Sequence, residues 1–333
     1  MLMAYRAAVI GCGRIGSEFS EDPRAEGIYS HAEAYSVCPR TTLSAVCDCD
    51  PDKLGRCAER WGVSRRDADP LRMLAEVRPD IVSICTPDAT HYDLIRAAIG
   101  TPGVRAILAE KPLAMELDAA QELVRLAAES HVLLAVNYTR RYSQNHARLK
   151  EFLGSGGLGD IQGIGGYYTK GTLHNGTHWF DLARFLVGEV SQVRGFVMRC
   201  ETGDDPTLAA FLDFASGAKA CVLGCDAGAF SIFEMDLVGT RGRARLVDAG
   251  HAIELYGVGE SAHYTGYRSL TQTGGISGGM GDVLLHAVED VVHCLDERAR
   301  PRCSGEDGVA ALEIALAVRE SARSGRPVQM RQG

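Results

Sequence analysis

Three glycines, Gly11, Gly13 and Gly16, stand at G-x-G-x-x-G spacing behind the apolar run Arg6–Ile10. A turn of this kind holds an anion. Its first glycine permits a tight turn, its second lets the backbone approach a pyrophosphate, and its third lets the next helix pack closely on the strand. The free N–H groups at the start of that helix then point at the phosphate. The expected cofactor contacts are Gly11, Cys12, Gly13, Arg14, Ile15 and Gly16. A second apolar run, Leu43–Cys47, ends at Asp48, an acid placed to bind the ribose hydroxyls of an adenosine. Asp50 precedes Pro51 and reads as a helix cap instead. An acid at 48 repels a 2′-phosphate, and Cys49 rather than Arg follows it. NAD is therefore expected, with NADP as the alternative. The separation of Gly16 from Asp48 exceeds the usual ~20 residues; the polar insert Ser17–Ser30 accounts for the excess. Thr86 and Pro87 close a third run, and His91 opens the helix after it, where strand ends line a ligand crevice.

These residues need a particular scaffold. Arg6–Ile10, Leu43–Cys47, Ile81–Cys85, Val104–Ala109 and Val132–Val136 read as buried strands, with a short one at Arg65–Asp67. Helical patterns lie between them at His31–Cys38, Pro51–Trp61, Pro70–Val77, His91–Ile99 and Glu116–Ser130. Buried strands alternating with helices mean right-handed βαβ units and a parallel sheet. Residues 1–136 are thus expected to form a doubly wound α/β domain of the Rossmann type. Residues 137–333 read differently. A helix (Ser143–Leu153) and a glycine-rich turn precede strand-like runs at Ile161–Lys170, Val190–Glu201, Leu208–Phe214, Ala218–Asp226, Ser231–Gly239, Ala244–Asp248 and Ala252–Tyr256. Turns such as Ser216-Gly217 and Arg241-Gly242 separate several of them. The expectation is an α+β domain with a large, mostly antiparallel sheet. A helix at His178–Leu186 interrupts it, the glycine-rich segment Ser261–Gly281 is expected to be a loop, and helices at Gly281–Asp296 and Asp307–Ser324 close the chain.

Taken in order, G-C-G-R-I-G, A-V-C-D, T-P-D-A-T-H and A-E-K-P-L-A resemble the Gfo/Idh/MocA oxidoreductases, which include inositol dehydrogenases and glucose-fructose oxidoreductase. L-G-D-I-Q-G-I, H-N-G-T-H-W-F-D-L and S-A-R-S-G-R-P-V extend the resemblance over nearly the whole chain. It implies that Lys111, in Glu110-Lys111-Pro112, lies between substrate and nicotinamide, with a cis bond before the proline. It implies that His178 is the acid/base, that Asp181 is structural, and that Asn137 continues the cofactor crevice. Many relatives carry Asp four residues before the catalytic histidine. Here His174 stands there, so that carboxylate is missing.

The reaction implied is hydride transfer between a nicotinamide and a CH–OH group of a sugar, cyclitol or sugar derivative. His178 is expected to take the hydroxyl proton, since imidazole titrates near ~6.5. Lys111 is expected to hold the oxygen and stabilise developing negative charge, the two roles being exchangeable if burial lowers the lysine pKa. Directional donors for a hydroxyl-rich substrate are sought among Tyr138, Arg140, Arg141, Tyr168, Lys170, His174 and Asn175. Trp179 and Phe180 read as core. The competing functions are an NAD(P)-sensing protein without turnover and an imine- or biliverdin-type reductase.

Composition sets the outer limits. The 333 residues carry a net charge of −8, which argues against broad nucleic-acid binding. No apolar run is long enough to span a membrane, and a cytoplasmic protein is expected. Eleven cysteines lack the C-x2-C spacing and nearby histidines of a zinc site. They read as reduced core thiols, and no metal is expected. By resemblance the partners are a small polyol or sugar and a second copy of the chain, as a homodimer or homotetramer.

Overall fold

The computed structural model describes residues 4–198 and 203–330. The chain divides into two compact units, Met1–Tyr142 with Gly281–Val309, and Ser143–Met280 with Ala310–Gly333. The return of Gly281–Val309 to the first unit differs from the uninterrupted 137–333 segment expected from the sequence. Its helix α8 (Val283–Glu297) buries Leu284, Ala287, Val288 and Val291, so its apolar stripe is satisfied by the first unit's core.

In the first unit, strands β1 (Tyr5–Ile10), β2 (Thr41–Cys47), β3 (Arg66–Asp67), β4 (Ile81–Ile84), β5 (Ala106–Ala109) and β6 (Leu133–Val136) form one sheet in the order β3-β2-β1-β4-β5-β6. Every pairing in it is parallel. β4 and β5 are buried at each position, as a sheet covered on both faces requires. The crossovers are α1 (His31–Val37), α2 (Pro51–Trp61), α3 (Pro70–Val77), α4 (His91–Ile99) and α5 (Leu117–Glu129). Asp50 and Asp69 each accept two backbone N–H groups at the starts of α2 and α3, with proline in the first turn. Those caps fix where each helix leaves the sheet. Strand order reverses between β1 and β4, the switch point at which such sheets bind ligands.

The insert Ser17–Ser30 does not displace α1. Ser17 N–H and Phe19 N–H donate to Gly13 and Arg14 carbonyls, closing a helical turn after the glycines. His31 N–H and Ala32 N–H then donate to Ile15 and Gly16 carbonyls at 3.0 and 2.9 Å. The helix begun at the glycine turn therefore resumes at His31, with the insert looped out between. The insert leans on α2 through Glu18–Arg56 and Ser17–Trp61.

In the second unit, α6 (Gln144–Gly154) leads to β7 (Ile161–Tyr168), a π-helical turn (Gly171–Gly176) and α7 (Thr177–Val187). Then come β8 (Val190–Phe196), β9 (Ala209–Phe214), β10 (Lys219–Gly224), β11 (Phe233–Gly239), β12 (Gly242–Val247), β13 (Ala252–Glu260) and β14 (Arg268–Ile276). The chain closes with α9 (Gly305–Ser324), which begins in the first unit, and β15 (Val328–Gln329). The sheet order is β14-β13-β12-β11-β7-β10-β9-β8-β15. All its pairings are antiparallel except β7 with β10. Burial alternates along β10, β11 and β12, so one face is core and the other is open. α7 and α9 press on the core face: a Cβ at Gly166 would strike Trp179, and one at Gly195 the Val318 carbonyl.

Three expectations fail here. Ser261–Gly281 is not all loop, because β14 pairs with β13 over most of its length. β14 is an edge strand with nearly every residue exposed, so it carries no alternation to be read. The run expected through Lys170 ends at Tyr168, and Lys170 turns left-handed (φ 70°) into the π-helical turn. The strand expected through Glu201 ends at Phe196, and its last positions from 199 lie outside the described residues.

Candidate active site

The glycine turn sits at the carboxyl end of β1. Gly11 has φ 97°, and a Cβ there would meet the Cys85 carbonyl; at Gly16 it would overlap the Gly11 carbonyl oxygen. Both glycines are demanded by the fold itself. A Cβ at Gly13 would meet nothing within 4 Å, so this glycine keeps open the space into which a phosphate would come. Asp48, just past β2, accepts Cys12 N–H at 2.7 Å through one oxygen and Asp50 N–H at 2.8 Å through the other. The Cys12 side chain is fully buried, so Cys12 contributes backbone to the turn. Arg14 is exposed and lies over the Phe19 ring, 4.6 Å from its centre. Ile15 gives its carbonyl to α1.

Thr86 lies just past the end of β4, and its hydroxyl accepts from Thr90 at 2.7 Å. His91 is a correction to the expectation that it lines the ligand crevice. The ring is wholly buried, with Nδ1 2.6 Å from the Pro112 carbonyl and Nε2 2.8 Å from the Thr86 carbonyl. Both ring nitrogens are spent tying the end of β4 to the segment after β5.

That segment carries Glu110 and Lys111, each 8% exposed, and the Lys111–Pro112 bond is cis. Glu110 accepts from Asn137 Nδ2 at 2.6 Å and lies 3.0 Å from His31 Nε2. Burial pushes the Glu110 carboxyl up, but His31, Lys111 and Asn137 together hold it below the usual value. Asn137 is fully buried, its N–H donates to the Ala109 carbonyl, and its Oδ1 has no hydrogen-bond partner among the described residues. A buried acceptor left unmade is costly, and a ligand amide is one group able to satisfy it. The open space at Gly13, Asp48 at the end of β2 and the orphaned Asn137 oxygen all fit a bound dinucleotide. In the sequence His31 reads only as the first residue of a helix, and its place soon after the glycine turn is the signal that could have marked it.

In the second unit the π-helical turn delivers the histidines. Asp205 accepts Leu173 N–H at 2.8 Å and His174 N–H at 2.9 Å. Thr172 Oγ1 donates to the Pro206 carbonyl and Thr177 Oγ1 to the Leu173 carbonyl. His178 follows in the first turn of α7, half-buried, while His174 is exposed. Asn175 Nδ2 donates to the Thr169 carbonyl at 2.8 Å. Tyr168 is a correction. Its ring is fully enclosed, edge-on to Phe180, and its hydroxyl donates to the Leu208 carbonyl at 2.6 Å. It braces the His178 segment and does not present a hydroxyl to a substrate. Trp179, Phe180 and Asp181 are buried. After β6, Tyr138 is enclosed, and Arg140 is half-buried with surrounding protein pulling its guanidinium down to about 9. Arg141 is paired with Asp307 at 3.0 Å. Lys170 is exposed.

Among the described cysteines, Cys12, Cys38, Cys47, Cys57, Cys85, Cys294 and Cys303 are buried, Cys225 is intermediate, and Cys49 and Cys221 are exposed. The last two do not fit the expectation of core thiols, and Cys200 lies outside the described residues. Among the described residues no helix is long and apolar enough to cross a membrane.

A parallel sheet of this order, with the glycine turn at its switch point and an acid at the end of β2, defines a dinucleotide-binding oxidoreductase fold. Residues 5–138 match the oxidoreductase family with NAD-binding Rossmann fold, and residues 168–330 match that family's C-terminal alpha/beta domain. The chain belongs to this family, Gfo/Idh/MocA. It is 25% identical to a myo-inositol 2-dehydrogenase of Thermotoga maritima, over 98% of this chain and 99% of that one. It is 24% identical to an inositol 2-dehydrogenase of Rhizobium meliloti, over 98% and 100%. An oxidoreductase from Agrobacterium radiobacter, solved with NAD+, L-tartaric acid and magnesium, has the same fold, with TM-score 0.78, 22% identity and 98% of each chain covered.

Proposed function

We propose that this NAD-dependent dehydrogenase oxidises a CH–OH group of a sugar, a cyclitol or a close derivative. Lys111 and His178 are the groups that touch the substrate. The observation that carries the proposal is Lys111, an almost buried amine just past β5, next to a carboxylate held as an anion. Oxidation of an alcohol removes a hydride from carbon and a proton from oxygen and leaves a carbonyl. NAD, when bound, accepts the hydride. Lys111 donates a hydrogen bond to the substrate oxygen and stabilises it as its proton leaves. His178 takes that proton. Gly11–Gly16, Asp48, Thr86 and Asn137 hold the cofactor, with Asp48 favouring NAD over NADP. Asn175 and His174, from the turn before His178, contact the substrate's other hydroxyls.

Absorbance of reduced cofactor, followed with NAD or NADP against a panel of polyols and sugars, tests the proposal. Reduction of NAD by at least one of them is expected. Tight NAD binding with no turnover across a broad panel would favour the sensing protein instead.

The same proposal places the protein in the cytoplasm as a homodimer or homotetramer. The open sheet face exposes Tyr167, Phe211 and Leu223, apolar groups that a second copy would cover. Sedimentation of wild type and of Phe211→Asp checks this: a monomeric wild type defeats it.

A further inference from the structure

Beneath Lys111 runs a buried polar chain that crosses the first unit. Tyr35 OH lies 2.8 Å from Ser83 Oγ, and Ser83 Oγ lies 2.8 Å from His31 Nδ1. His31 Nε2 lies 3.0 Å from Glu110 Oε1, and Asn137 Nδ2 donates to the same oxygen. Tyr35, Ser83, His31 and Asn137 are each 0% exposed. In such surroundings every hydrogen needs an acceptor. One assignment gives each link from Tyr35 to Glu110 a donor and an acceptor. Tyr35 donates to Ser83, Ser83 donates to His31 Nδ1, and His31 Nε2–H donates to Glu110. All donors in the chain then point one way and end on a carboxylate, and a carboxylate only accepts. The chain ends at Glu110, covalently next to Lys111.

We propose that His31 is a positioning residue: through Glu110 it holds a buried negative charge beside Lys111, and so keeps that lysine an ammonium ion. This rests on the proposed function and deepens it. It assigns Lys111 the part of cation and hydrogen-bond donor, and it leaves proton removal to His178.

The groups packed around the anion support this. Tyr35 and His31 come from α1, Ser83 and Cys85 from the β4 region, Asn137 from the end of β6, and His91 ties Pro112 to Thr86. Burial and the Glu110 anion push the Cys85 thiol well up, and burial pushes Tyr35 up, so both stay neutral. Glu110 is thus the anion among these groups, held so by His31, by Lys111 and by the Asn137 amide. A buried lysine without such a partner would lose its charge readily.

The chain has only five lysines, Lys53, Lys111, Lys150, Lys170 and Lys219. Carbon NMR of the full-length protein carrying lysine labelled at Cε can therefore follow each one through a pH titration, with Lys111→Arg giving the assignment. In Glu110→Gln and His31→Ala the Lys111 midpoint should fall by roughly one pH unit or more, the scale set by one close opposite charge. His31→Gln, whose amide can donate to Glu110 and accept from Ser83, should restore most of the wild-type value. The other four lysines should not move. A Lys111 midpoint unchanged in Glu110→Gln overturns the proposal, and that variant keeps the test decisive if His31→Ala fails to fold. Because the titration needs no substrate, it separates this proposal from the function itself. If wild type oxidises a polyol, the alkaline limb of kcat/KM should move down with the Lys111 midpoint in the same variants. A purely structural role for His31 would lower Tm and leave both unmoved.

Discussion

The carboxylate of Asp48 accepts the Cys12 N–H at 2.7 Å, so the acid at the end of β2 and the glycine turn at the end of β1 are one rigid piece. Its second oxygen accepts Asp50 N–H, which fixes the entry to α2 as well. Asp48→Ala removes a charge-assisted acceptor worth about 1.5–3 kcal/mol. NAD dissociation, measured by fluorescence titration, should weaken by about tenfold or more, with the penalty against NADP relaxed. Asp48→Asn keeps an acceptor but no charge, and should recover the turn while still tolerating NADP. Equal discrimination in all three proteins would remove Asp48 from the adenosine site.

The glycines separate fold from ligand. Gly16→Ala places a methyl on the Gly11 carbonyl and should destabilise the fold by about 1–3 kcal/mol, the usual cost of overpacking, with Tm lowered to match. Gly13→Ala meets nothing. It should leave Tm within a degree or two of wild type and still weaken NAD. If Gly13→Ala binds NAD normally, the phosphates do not sit over that glycine.

Lys111→Ala and His178→Ala should each cut kcat/KM by about 10²–10⁴, the usual worth of a positioned acid, base or cation. NAD affinity should stay within a few fold. Kinetics across a polyol series will show whether the loss lies in kcat. A variant that binds NAD poorly but turns over normally once saturated would place its residue in the cofactor site and not at the reacting bond.

Acid stability has a readable source. Arg72 forks onto Asp67 through Nε and a terminal nitrogen, and that hydrogen bonding holds the Asp67 carboxyl down at about 2. A carboxyl depressed by folding stabilises the protein above its unfolded value of about 4. It loses that contribution as pH falls through the folded value. Arg72→Ala should therefore lower Tm most near neutrality, and the gap from wild type should close between about pH 4 and pH 2. Thermal scans across that window check it; a gap that widens with acid contradicts the assignment.

The first unit was legible because both faces of its sheet are buried. β1, β2, β4, β5 and β6 announce themselves as apolar runs, and α2, α3 and α4 begin at the residues where Asp–Pro caps or strand-end turns put them. β14 was not legible, since an exposed edge strand is held by backbone hydrogen bonds that leave no mark on side-chain pattern. The same holds at the site. Glycine spacing and an acid after a strand point to a dinucleotide from sequence alone. Partner choice inside a packed interior does not: nothing in the order of residues says that His91 faces two carbonyls, that Tyr168 faces Leu208, or that His31 meets Glu110.

The looped-out insert Ser17–Ser30 has a consequence for how this fold changes over time. Because Ile15 and Gly16 hand their carbonyls directly to His31 and Ala32, the two ends of the insert stand one helical step apart. A segment with such ends is a cassette: it can lengthen, shorten or be exchanged while the helix keeps its axis and the anion turn its shape. Variation in length at this point is therefore nearly neutral for folding, and free to be selected for whatever a lineage requires beside its nucleotide.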